Sequence, residues 1–219
     1  MKRGFLISLI ALITVSLAFA QSEEKTEKKA REILKKVSAK FKSFKSLKAT
    51  FILTIENQKD KSSDVQKGTI QLKGDKYRLN VAQQDIISDG KTVWTYMKDA
   101  NEIQVNNAAK DTNTITPANF LTLYEKGFLF KFVGEEKEKG MVYQLVELVP
   151  VDPKKKSVVK VKLKISKKDQ MVYSARLIDR SGTVVTYKVE KFTPEAASAD
   201  SIFTFNTKNY PGAEVIDLR

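Results

Sequence analysis

The sequence predicts a mainly β protein of the α+β class, in which one antiparallel sheet is covered by about two helices. Three observations lead to this prediction: short segments of alternating apolar and polar residues, turn-forming residues between them, and a separate helical pattern near the start of the chain. Clean alternation is typical of an antiparallel sheet with one solvated and one dry face. A sheet of about ten strands curls or closes, and the helices must cover its dry side.

The first twenty residues have the pattern of a cleavable signal peptide. Lys2 and Arg3 precede an apolar stretch over residues 5–17, and Ala18-Phe19-Ala20 is a small-x-small cleavage site. The stretch is shorter than the ~20 residues of a membrane-spanning helix. We expect residues 1–20 to be removed on export and residues 21–219 to form a single domain. The chain has no cysteine to form disulfides or carry a lipid, so we expect a soluble protein.

Two segments predict helices. Residues 27–44 have apolar side chains at steps of three and four with lysines between them, which is typical of an amphipathic helix. Residues 117–124 predict a short second helix, because Pro117 suits the first helical position after Thr116.

Period-two alternation predicts the strands. Asp89-Gly90 between two apolar runs indicates a hairpin, and residues 83–85 are predicted to be a turn. The predicted strands are 51–56, 70–73, 77–81, 92–97, 103–105, 128–132, 141–149, 159–165, 171–179, 183–192 and 202–205.

The composition argues against an enzyme. The absence of histidine and cysteine removes the usual general base, the thiol nucleophile and the usual zinc ligands. Neither Gly-x-Gly-x-x-Gly nor the P-loop pattern occurs. We therefore expect no catalysis, no cofactor and no metal centre.

The chain is strongly basic, with 39 basic and 26 acidic residues and a formal charge of +13. Such a charge fits nucleic acid, a membrane surface or acidic partners, and export argues against nucleic acid. A lysine-rich surface also favours solubility. Solubility and attraction to an acidic envelope partner or anionic lipid both remain open interpretations.

The predicted dry face is rich in aromatic residues. Such side chains either fill the interior or line a cavity for an apolar ligand, and periodicity does not separate these alternatives. The aromatic residues are Phe51, Tyr77, Trp94, Tyr96, Phe128, Phe130, Tyr143 and Tyr187.

A known family resembles this sequence at residues 87–96. Ile-Ser-Asp-Gly-Lys-Thr-Val-Trp-Thr-Tyr resembles the Ser-Asp-Gly-Lys-Thr-x-Trp-x-Tyr hairpin of the periplasmic outer-membrane lipoprotein carrier family, LolA. Other segments resemble the family in matching order: 47–51, 68–73, 117–124, 179–182, 203–205 and 210–217. The resemblance covers nearly all of residues 21–219.

The resemblance implies an open, incomplete antiparallel β-barrel with a lid of short α-helices and a hydrophobic cavity for the acyl chains of lipoproteins. It implies a monomer that takes cargo from an inner-membrane ATP-driven (ABC) releasing complex and delivers it to the outer membrane, where an acceptor receives it. The expected location is the periplasm.

Two sets of residues follow from this interpretation. The cavity lining is predicted to be Phe51, Leu53, Ile70, Leu72, Tyr77, Leu79, Trp94, Tyr96, Phe130 and Leu163. The lid contacts are predicted to be Ile33, Leu34, Val37, Phe41, Phe120 and Leu121.

The sequence departs from the family at one position. Many proteobacterial members have an arginine after the strand that matches residues 70–73, and it ties barrel to lid. Here Gly74 stands there, and Arg78 is out of register. Two alternatives to a lipoprotein carrier remain: an open barrel that binds a glycolipid or polyisoprenoid, and a non-catalytic envelope regulator or scaffold.

Overall fold

A computed structural model describes residues 4–108, 127–195 and 199–219 of the chain. The elements within these ranges are one α-helix, twelve strands and three short 3-10 helices. The strands form one sheet. The mainly β architecture predicted from the sequence is confirmed.

The helix, α1, spans Gly4–Lys42 and confirms the helix predicted over residues 27–44. Ala30, Ile33, Leu34 and Val37 are buried against the sheet, as is Ser38, whereas most of the residues between them are exposed. Among the described residues, no helix combines the length and hydropathy that a membrane span requires. The signal peptide and its cleavage remain predictions.

The strands follow one another along the chain, mostly as hairpins. They are β1 Ser46–Asn57, β2 Ser62–Lys73, β3 Lys76–Val81, β4 Gln84–Ser88, β5 Thr92–Met97, β6 Glu102–Asn107, β7 Phe128–Glu138, β8 Met141–Pro150, β9 Val158–Ser166, β10 Val172–Asp179, β11 Thr183–Glu195 and β12 Glu214–Asp217.

The sheet order is β12-β6-β5-β4-β3-β2-β1-β11-β10-β9-β8-β7. All neighbours are antiparallel except β12, which runs parallel to β6. The two ends of the sheet, β12 and β7, do not pair with each other, so the barrel is open, as the resemblance implies. Bulges in β1–β11 and β7–β8 add local twist to this sheet.

The Asp-Gly hairpin predicted between β4 and β5 is present. The Asp89 carboxylate accepts hydrogen bonds from the backbone N–H groups of Lys91 and Thr92, both at 2.8 Å. Gly90 has φ +90°, a left-handed conformation that an L side chain strains. The turn therefore requires the residues that the motif supplies.

Two local predictions are wrong, and one strand was not predicted. Gln84 and Asp85 belong to β4, and the turn before them lies at Ala82, where φ is 52°. The strand predicted over residues 202–205 is replaced by a 3-10 helix, Asp200–Phe203. The last strand is β12, whose parallel pairing with β6 has no local signal in the sequence.

The main core lies between α1 and one face of strands β7 to β10. We call this side of the whole sheet the helix face. The helix crosses the strands, because the Lys29 ammonium lies 3.7 Å from the ring centre of Phe132 on β7, whereas Phe41 meets Phe192 on β11 at 6.0 Å. The core residues are Ala30, Ile33, Leu34, Val37, Phe128, Phe130, Val146, Leu148, Val158, Val161, Leu163, Ile165, Val172 and Ala175.

Residues 199–219, which we call the C-terminal segment, cover the opposite side of the sheet over β3 to β6 before they end in the edge strand β12. Trp94 stacks on Phe205 at 5.6 Å between ring centres, and Phe205 stacks on Tyr210 at 5.2 Å. Ile87, on the same side, is buried, as is Phe203 of the segment. We call this side the C-terminal face.

Candidate functional site

The helix face continues beyond α1 onto strands β1 to β3, where most of the predicted cavity residues lie. Cross-strand register places Leu72 opposite both Leu47 and Tyr77, and Ile70 opposite both Ala49 and Leu79. Because directly opposed residues share a face, these side chains form one apolar surface. It joins the main core through β1, β11, β10 and β9.

The degree of burial divides this surface. Phe51, Leu53 and Tyr77 are buried, whereas Ile70, Leu72 and Leu79 are only half-buried. Large aliphatic side chains that stay partly exposed on a contiguous surface are typical of a ligand site. The half-buried part is therefore the candidate binding surface.

Phe51 is fixed at the centre of the helix face by a glycine. Gly68 lies directly opposite it on β2, and a Cβ atom at Gly68 would overlap the Phe51 ring. The ring thus lies over bare backbone. It also meets Tyr187 of β11 at 5.8 Å between ring centres. Phe51 consequently links the two halves of the helix face.

Tyr187, the ring partner of Phe51, is a partly covered residue of this region. It is 38% exposed, yet desolvation raises the pKa of its hydroxyl above the ordinary value. Burial likewise raises the pKa of Tyr77, and a hydrogen bond with Ser88 partly opposes that rise.

Phe130 and Leu163 lie at the other end of the helix face, beneath α1. Both belong to the core that contains the predicted lid residues Ile33, Leu34 and Val37. Phe41 packs against this core and edge-on against Phe192. The predicted contact between helix and sheet is present, and the action of α1 as a lid remains a prediction.

Trp94 and Tyr96 are on the wrong side of the sheet for the predicted cavity. Trp94 is opposite Ile87 and Val105, and this row continues to Arg78, which alternates with Tyr77 and Leu79. Both rings therefore face the C-terminal segment, where Tyr96 meets Tyr210 at 4.7 Å. The prediction that these two residues line the same surface as Phe51 is wrong.

Sequence reasoning also missed residues that do lie on the helix face. Ile86 is opposite Leu79, and the alternation along β5 places Val93 and Met97 on the same side. All three are half-buried. The alternation along β5 could have revealed Val93 and Met97. The prediction instead assigned the aromatic residues between them, Trp94 and Tyr96, to this face.

The second predicted helix, with Phe120 and Leu121, lies outside the described residues.

A family model described as outer membrane lipoprotein carrier protein LolA matches residues 42–206. The chain belongs to the LolA family. The match begins at the last residue of α1 and includes strands β1 to β11. Membership indicates the binding of lipophilic ligands or a role associated with the cell envelope.

Solved structures share the LolA-like fold at low identity. An uncharacterized conserved protein from Thermus thermophilus is 14% identical, with a TM-score of 0.56, covering 86% of this chain and 99% of that one. A LolA superfamily protein from Nitrosomonas europaea is 14% identical, with a TM-score of 0.44 and coverage of 80% and 97%. The lipoprotein LppX of Mycobacterium tuberculosis is 11% identical, with a TM-score of 0.45 and coverage of 76% and 96%. A comparison with curated protein sequences finds no match.

Arg78 does not act as the LolA-type latch between sheet and helix, because it lies on the C-terminal face. Its guanidinium donates to both oxygens of Asp85, at 3.2 and 2.6 Å. The Tyr210 hydroxyl donates to the same carboxylate at 2.7 Å. Burial and that hydrogen bond raise the pKa of Tyr210 to about 12. In this LolA-family chain, Arg78 therefore pairs with Asp85, the carboxylate that accepts the hydrogen bond from Tyr210 of the C-terminal segment.

Proposed function

We propose that this protein is a periplasmic carrier that binds the acyl chains of lipoproteins on its helix face and ferries them from the inner to the outer membrane. The observation that carries the proposal is the half-buried apolar surface that extends from the core beneath α1 across β2 to β5. Membership of the LolA family supports the same role. The proposed role requires no catalytic step.

The character of this surface suits reversible lipid binding. Each methylene group removed from water contributes ~0.8 kcal/mol, so a carrier competes with a membrane only if it shields most of each acyl chain without holding it too tightly. Ile70, Leu72 and Leu79 are partly covered by their own neighbours before any ligand arrives. They therefore offer less new burial than fully exposed side chains would, which favours release.

The proposed partners follow from the proposed route. Cargo would come from an inner-membrane ABC complex that releases lipoproteins, and would pass to the outer membrane through an acceptor there. Both partners remain proposals, as does a monomeric state.

Adjacent residues on β2 provide a matched test. Ile70 lies on the helix face, and Thr69 lies on the opposite face, where it is exposed. A triacylated lipoprotein should co-purify with the wild-type protein and with Thr69→Glu. It should be lost from Ile70→Glu, because a carboxylate in an apolar site remains hydrated. Circular dichroism of each variant checks that the fold is retained.

Two results contradict the proposal. A wild-type protein that neither binds a triacylated lipoprotein nor protects it from aggregation is not such a carrier. A Thr69→Glu variant that loses function more than Ile70→Glu indicates a scaffold that binds protein through the other face. If mass spectrometry identifies the co-purified lipid as a glycolipid or a polyisoprenoid, the protein is a carrier of that lipid instead.

A further inference from the structure

The outward side of α1 carries a row of exposed lysines that the core contacts do not use. Lys25, Lys28, Lys35 and Lys36 are all exposed, and their spacing places them away from Ala30, Leu34 and Val37. We call these four residues the lysine row. Residues 25–36 of a helix extend about 18 Å, so the row is long relative to a single ion site.

Neighbouring charges on α1 have partners within the chain, and thus delimit the row. Arg31 pairs with Glu27 at 2.7 Å. The Lys29 ammonium lies over the Phe132 ring at 3.7 Å, and that of Lys40 lies over Phe44 at 5.3 Å. Glu32 is the one acidic residue between Lys25 and Lys36 on the outward side, apart from the paired Glu27. The outward side therefore carries a net positive charge.

We propose that the lysine row docks the protein onto the surface of a bilayer that contains anionic phospholipids. Lysine is a hydrated point charge on a flexible stem, and it is attracted to a diffuse negative surface without defined geometry. Protein interfaces are instead depleted of lysine and enriched in aromatic residues, methionine and arginine. The row offers lysines, with Ala39 as its nearest exposed apolar neighbour.

Docking in this way sets the orientation of the protein. Because α1 packs on the helix face, the lysine row and the half-buried surface of β2 to β5 lie on the same side of the sheet. Trp94 lies on the other side, under the C-terminal segment. A bilayer attracted by the row therefore approaches the apolar surface and stays away from Trp94. This inference does not depend on the identity of the cargo.

Vesicle binding without cargo tests the inference. The protein is recovered after export, and its N-terminus is determined by mass spectrometry. It is then mixed with vesicles of phosphatidylcholine alone, or of phosphatidylcholine with about one third phosphatidylglycerol, an anionic phospholipid. We expect binding only to the anionic vesicles and release by added salt, which distinguishes electrostatic attachment from apolar insertion.

Two triple variants with equal charge change locate the binding surface. In the first, Lys28, Lys35 and Lys36 become glutamine. In the control, three exposed lysines outside α1 become glutamine: Lys59, Lys67 and Lys168. At about 1 kcal/mol per lysine, the first variant should bind on the order of 100-fold more weakly. The control should bind nearly as well as the wild type. Equal loss in both variants, or no binding of the wild type to anionic vesicles, overturns the proposal.

Energy transfer to dansyl-labelled headgroups tests the orientation. Trp94 is the sole tryptophan of the chain. A variant with Ala39→Trp and Trp94→Phe moves it to the outward side of α1. Transfer should be stronger from residue 39 than from residue 94 in bound protein. Stronger transfer from Trp94 overturns the proposed orientation. Failure of lipoprotein binding with retained vesicle docking would contradict only the carrier function.

Discussion

Replacing Tyr210 with phenylalanine tests how the C-terminal segment is held on the sheet. The Tyr210 hydroxyl donates at 2.7 Å to the Asp85 carboxylate, whose side chain is only 8% exposed. Hydrogen bonds to charged groups contribute about 1.5–3 kcal/mol to stability. Arg78 remains on the carboxylate in the variant, so no charge is left unpaired. We therefore expect a loss of about 2 kcal/mol in the free energy of unfolding.

Tyr96→Phe is the matched control within the same aromatic cluster. Its hydroxyl donates at 3.0 Å to the side chain of Asn101, in an exposed and uncharged hydrogen bond. This substitution removes the same atom, and we expect it to cost at most about 1 kcal/mol. The difference between the two variants therefore measures the effect of the charged, buried acceptor.

Urea unfolding provides the assay, with two probes. Trp94 fluorescence reports the C-terminal segment, because Trp94 stacks on Phe205, and far-ultraviolet circular dichroism reports the sheet. The midpoint should fall in Tyr210→Phe with an unchanged dependence on urea. If Tyr210→Phe loses no more stability than Tyr96→Phe, the carboxylate does not hold the segment and the reasoning is refuted.

Three further predictions concern stability. Leu34→Ala should reduce the free energy of unfolding in urea by about 2–5 kcal/mol, because Leu34 is 1% exposed in the main core. Lys35→Ala, at an exposed position on the outward side of α1, should change it by about 0.5 kcal/mol or less. Gly68→Ala should lower the thermal midpoint, because the new Cβ overlaps the Phe51 ring, and it should reduce the free energy of unfolding by about 1–3 kcal/mol. The reduction should be smaller in a Phe51→Leu background, and an equal reduction there would contradict the overlap. The pKa of Tyr210 is raised to about 12 from the 10.0 expected in the unfolded chain. The hydrogen bond of the protonated hydroxyl therefore contributes to folding stability in full below pH 10, and this contribution is lost as the pH rises towards 12. The stability difference between wild type and Tyr210→Phe should therefore narrow over that pH range, and a constant difference would exclude this titration.

Local patterns predicted the elements well. The amphipathic spacing around Leu34 and the alternation within single strands are set by helix and strand geometry, and neighbouring residues suffice to reveal them. The turn at Asp89 and Gly90 was equally predictable, because its hydrogen bonds and its positive φ lie within the motif.

The assignment of faces was less predictable where both sides of the sheet are covered. In β4, Ile86 faces the helix side and Ile87 faces the C-terminal side. Both positions are apolar, so the alternation does not show which face of the strand is solvated. Alternation alone therefore assigns Trp94 and Tyr96 to the larger apolar surface. What decides their side is the C-terminal segment, more than a hundred residues further along the chain, and local periodicity contains no information about it.

The parallel pairing of β12 with β6 also covers a sheet edge to which a strand of another copy of the protein could add. Without β12, the six residues of β6 would form an open sheet edge, which is a template for strand addition by another chain. With it, the outermost strand on that side is only four residues long, and it begins at Glu214 and ends at Asp217, beside Arg219. Short, charged edge strands discourage intermolecular pairing. The end of the chain thus guards against aggregation in a protein that keeps part of an apolar face accessible.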